Sequence, residues 1–72
     1  MDIRKVSIGP DYKSGAMHYL VGQSVLNGDY HIHLIRIDDG EVKIWIERDK
    51  EVILWKSFTS TMAISIEYNI NF

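Results

Sequence analysis

Cysteine is absent from the 72 residues and proline occurs once. Without cysteine there is no disulfide and no thiolate zinc site, and the composition fits a reducing compartment. No apolar run approaches the ~20 residues of a membrane-spanning helix. The opening Met1-Asp2-Ile3-Arg4-Lys5 lacks the apolar centre of a signal peptide. A cytoplasmic protein without membrane contact is therefore expected. Positive charge is not in excess either. Lys+Arg number 8 against Asp+Glu 10, a net charge of −2, which excludes a general charge-driven grip on nucleic acid but not a local basic patch. No segment combines helical spacing with caps, and a short turn over residues 11–17 is the one helical candidate.

The length sets a further bound. A chain this short forms one domain over residues 1–72 and buries only roughly 60% of the surface its unfolded form exposes. Small domains compensate with disulfides, a metal or self-association. With the first excluded, self-association becomes a serious candidate.

What is present is globular: 46% hydrophobic and 25% charged residues. The dominant pattern is period two, the signature of a strand. Ile64, Ile66, Tyr68, Ile70 and Phe72 alternate with Ser65, Glu67, Asn69 and Asn71 at the C-terminus. Residues 30–37 and 41–48 read as strands joined by Asp39-Gly40, a favoured two-residue hairpin pair because both tolerate positive φ. That turn sets Ile37 against Val42, Ile35 against Ile44 and Leu34 against Trp45. Residues 51–58 follow as a further strand through a turn without glycine, pairing Ile46 with Ile53 and Ile44 with Trp55. Ile3, Val6 and Ile8 mark a first strand closed at Gly9-Pro10, where proline ends hydrogen bonding on one side. Residues 16–21 mark another, with a bend at Gly22 and a turn at Asn27-Gly28. The sum is a mainly β domain of about five to six strands, an antiparallel meander or an SH3/OB-like partly open barrel. Such a fold does not by itself name a function.

In these registers the middle sheet has two apolar faces. Ile35, Ile37, Val42, Ile44, Ile46, Ile53 and Trp55 form the core face. Tyr30, Ile32, Leu34, Trp45, Val52, Leu54 and Phe58 share the other with Arg36, Lys43, Lys56 and Glu47. That second face is too apolar to be left to water. It is covered by the rest of the chain, by a second copy in a homodimer, or by a protein partner. Tyr30, Leu34, Trp45, Leu54 and Phe58 are the partner-binding candidates. Arg36, Lys43 and Lys56 would form a row of like charge, unfavourable unless something anionic sits on it. With Trp45 as a stacking platform they make the alternative, a nucleic-acid or nucleotide site. Long basic side chains covering apolar surface are the plainer account.

Catalytic chemistry has little to stand on. His31 and His33 share a strand face and His18 offers a third nitrogen, a set zinc accepts. The register, however, sets His31 against Arg48, so no metal site is expected. Asp38, Asp39 and Glu41 form an acidic turn without the spacing calcium needs. Residues 9–15 lack the phosphate-loop pattern, and no serine stands in a nucleophile elbow. No enzyme activity and no cofactor are expected. No motif identifies a family. Size and composition are in the manner of small accessory proteins such as phage-encoded inhibitors of host or defence factors. The reading that follows is a homodimeric, non-catalytic binder of another protein.

Overall fold

Period-two alternation punctuated by tight turns lays down seven strands among the described residues: β1 Ile3–Gly9, β2 Met17–Leu20, β3 Ser24–Val25, β4 Tyr30–Asp38, β5 Glu41–Arg48, β6 Glu51–Thr59 and β7 Ala63–Tyr68. The computed structural model describes residues 2–9, 17–59 and 63–69. The strands form two antiparallel sheets, ordered β2-β1-β7 and β3-β4-β5-β6, and one sheet curls into a half-barrel. The fold is thus a small β meander with barrel-like curvature, as the alternation implies. The expected turn at Pro10, the interior of the candidate helical turn, the crossing before β7 and the last residues of the C-terminal alternation lie outside the described residues. Met17, at the end of that helical candidate, opens β2 instead.

Two hairpins build the larger sheet. Asp39 and Gly40 take φ of 51° and 75°, and Asp49 and Lys50 take 50° and 68°. Both turns are therefore two-residue loops with paired positive φ, matched to strand twist. The second does without glycine and places Lys50, with its Cβ, in the left-handed region. The Asn27-Gly28 turn is a short 3-10 turn over Leu26–Gly28 in which all three residues have positive φ (53°, 60° and 87°). Gly22 makes the bend that passes the chain from the small sheet to the large one. At φ +94° its N–H donates to the Ile32 carbonyl (2.8 Å), while the Ile32 N–H donates to the Gln23 carbonyl (2.8 Å). The small sheet departs from a sequential meander, because β1 lies between β2 and β7.

Ile37–Val42, Ile35–Ile44 and Leu34–Trp45 pair as the Asp39-Gly40 turn requires, and Ile46 pairs with Ile53. Three register shifts then alter the pattern. The β1–β7 ladder slips between Ile3 and Lys5. The β4–β5 ladder slips between Ile32 and Leu34, so His31 faces Glu47 and Ile32 faces Ile46. The β5–β6 ladder slips between Ile44 and Trp45, so Ile44 faces Lys56 rather than Trp55, and Val42 faces Phe58. Each is a bulge: one strand carries an extra residue and the parity of its side chains changes beyond it.

The core sits between the sheets. Ile3, Val6, Ile8 and Tyr19 from the small sheet meet Ile32, Ile35, Val42, Ile44 and Ile46 from the large one. Tyr19 bridges them, edge-on to Trp55 with ring centroids 5.9 Å apart and tilted against Phe58 at 5.7 Å. The bulges correct the expected two faces. Ile32 is fully buried, and Tyr30 and Phe58 pack against the core rather than facing outward. Ile37 and Ile53, expected in the core, lie at its margin with 45% and 39% exposure.

Candidate functional site

β5 positions the outer face of the large sheet. Its even residues Val42, Ile44 and Ile46 are buried, while Glu41, Lys43, Trp45 and Glu47 alternate to the other side and are partly exposed. Each outward residue heads a row across three strands. Trp45 lies between Leu34 and Leu54, Lys43 between Arg36 and Ser57, and Glu47 between His31 and Val52. Glu41 lies between Asp38 and Thr59, so the face runs from an acidic end through a basic row and an apolar middle to an imidazole–carboxylate end.

In the apolar row, Leu54 is 51% exposed and Leu34 and Trp45 are partly exposed. Val52 and Ile53 beside Leu54 are also open to solvent, so three consecutive large apolar residues stand exposed on β6. β6 is an edge strand, with no described strand on its far side. Of the five partner-binding candidates, the structure keeps Leu34, Trp45 and Leu54 together on the outer face. It removes Tyr30 and Phe58 to the core side. The Arg48 guanidinium stands 5.8 Å from the centre of the Tyr30 ring.

The basic row is two residues long, not three. Arg36 pairs with Lys43, but the residue beyond Lys43 on β6 is Ser57. The bulge after Leu54 takes Lys56 out of line, and its Nζ lies 4.8 Å from the centre of the Trp55 ring, a cation–π contact. Lys43 Nζ is 3.3 Å from Asp38 Oδ2, and Ser57 Oγ donates to Glu41 Oε2 at 3.0 Å. Much of the positive charge expected to await an anion is therefore answered within the face. Arg36 also lines a groove of about 330 Å³ beside β4, with Asp2 and Tyr68 opposite.

The third row contains what the sequence reading misplaced. With β4 slipped by one residue, His31 faces Glu47 and not Arg48. His33 Nδ1 is 3.1 Å from Glu47 Oε2 and His31 Nε2 is 3.8 Å from Glu47 Oε1. His18 stands apart on β2, its Nδ1 2.8 Å from Ser7 Oγ. The signal for Glu47 was present in the spacing Ile32 to Ile35, three residues where a regular strand would need two.

Burial raises the Tyr19 phenol above its ordinary pKa of 10.0, because the apolar surroundings disfavour the phenolate. Among the described residues the Tyr19 phenol is the one polar group on a buried side chain, and no helix is long and apolar enough to cross a membrane. Comparison with family models, curated proteins and solved structures finds no match.

Proposed function

We propose that this chain is a non-catalytic binding protein, homodimeric, that engages a protein partner through the outer face of β4, β5 and β6. The Leu34–Trp45–Leu54 row, continued by Val52, carries the reading. Burying one large apolar side chain contributes roughly 1.5–3 kcal/mol, and a cluster of partly exposed ones marks an interaction surface. A second copy brings the same patch and covers part of it by two-fold symmetry, leaving the rest of the face to the partner. Occlusion of a host or defence factor in the cytoplasm is the mode of action such a protein would have. The nucleic-acid or nucleotide alternative is weaker, because Lys43 meets Asp38 and Lys56 leaves the row that Arg36 and Lys43 share.

Light scattering on untagged protein tests the proposal. The expected mass is twice the 8.4 kDa of the chain, falling to a single chain in Leu54→Asp while the circular dichroism spectrum is kept. A parent protein that is monomeric at every concentration would sink the dimer.

A further inference from the structure

The imidazole–carboxylate end of the outer face has the donors and spacing of an ion site. His31, His33 and Glu47 each offer one ligand atom, and these atoms all lie within 4.8 Å of one another. Glu47 reaches the two rings with different oxygens, Oε2 to His33 at 3.1 Å and Oε1 to His31 at 3.8 Å. We propose that these three residues bind a divalent transition-metal ion of the zinc class.

The distances fit the chemistry. Bonds of roughly 2.0–2.2 Å in a tetrahedral site place neighbouring ligand atoms roughly 3.3–3.5 Å apart. The two nitrogen–oxygen separations lie on either side of that value and the whole set falls within 4.8 Å, so side-chain rotation must draw the ligand atoms together to close the site. Two imidazole nitrogens with one carboxylate suit zinc and its neighbours. Calcium and magnesium demand a set of oxygens that the cluster lacks. His31 and Glu47 pair directly across the β4–β5 ladder, and His33 is the extra residue of the β4 bulge, with its ring beside the same carboxylate. The side chains of His31, His33 and Glu47 are 48%, 44% and 25% exposed, which leaves the ion a way in and a coordination position for water.

Both rings and the carboxylate converge on one point of the face, which gives three donors of the kind zinc takes. The neighbouring Arg48 is directed elsewhere, to the Tyr30 ring and to Asp49, 3.7 Å from its Nε. The site stands independently of the dimer reading, since all its ligands belong to one chain.

Isothermal titration of untagged protein with zinc chloride tests it. One zinc per chain is expected, with affinity reduced about tenfold or more in His31→Gln, His33→Gln and Glu47→Gln, and unchanged in His18→Gln. Amide and imidazole NMR signals of the unaltered protein provide the second measurement, and zinc should move those of His31, His33 and Glu47 first. Absence of binding overturns the proposal. So does binding that survives loss of both His31 and His33, or zinc-induced shifts centred on His18.

Discussion

β5 and its two neighbours use the same vocabulary of isoleucine, valine and tryptophan, yet they are built differently. β5 keeps strict alternation from Glu41 to Arg48, with every second residue buried through its centre. β4 and β6 each carry an extra residue against it, near His33 and Trp55. The regular strand therefore acts as the template, and the bulged strands decide which side chains join the core. Bulges increase local twist and bend the strand, which suits a sheet that curls over a small core. One extra residue in β4 turns Tyr30 and Ile32 inward. One in β6 does the same for Phe58, which meets Tyr19 across the core.

Deletions put the greatest strain on this comparison. Removing His33 leaves Ile32–Ile46 and Leu34–Trp45 as consecutive pairs, so the shortened β4 should still fold, with a cooperative melt followed by circular dichroism, while losing zinc. Removing Trp45 from β5 throws half of the template onto the wrong face against both neighbours, and no cooperative melt is expected. Equal damage from the two deletions would show that β5 has no special standing.

A smaller effect separates two residues paired across the ladder. Ile46 is fully buried and Ile53 is 39% exposed. Ile46→Ala should destabilise by about 2–5 kcal/mol, read from the urea midpoint, and Ile53→Ala by well under that. Similar values for both would mean that β6 is as deeply buried as β5.

The smallest effect concerns Tyr19, which ties β6 to the small sheet. Its raised pKa means that the folded chain keeps the phenolic proton where the unfolded chain has released it. Its contribution is intact below pH 10.0, the ordinary value, and is lost as pH rises through the folded value. Urea midpoints taken across that range should fall less steeply in Tyr19→Phe than in the parent. Identical slopes would count against a buried phenol.

The parts of the fold legible in sequence were those set by local chemistry. Asp39-Gly40 specifies a two-residue turn, and that turn with its apolar matches places Ile35 on Ile44 and Leu34 on Trp45. The β1–β7 pairing had no such marker, because nothing local to Ile64 or Ile66 says which strand they will meet. The bulges were hidden for a different reason: they answer to the curvature of the finished sheet. They nonetheless leave a trace, since Ile3 and Val6, Ile32 and Ile35, and Trp55 and Phe58 each stand three apart within strands of period two. Missing the second of these cost both the inward turn of Tyr30 and the arrival of Glu47 beside the histidines. Missing the third put Lys56 in a row to which it does not belong.

The joining of β1 to β7 also bears on how freely the chain can be lengthened. Arg4 meets Glu67 across 63 residues, whereas Ser7 meets His18 across 11. Closing the longer span costs roughly 1.5 kcal/mol more in chain entropy, a difference that the burial of Ile3, Val6 and Ile8 can offset. Because this penalty grows only logarithmically, ten residues added at the Asp49-Lys50 tip would raise it by about 0.1 kcal/mol. The hairpin ends are thus sites where extra sequence can be carried with almost no loosening of the clasp between the first and last strands.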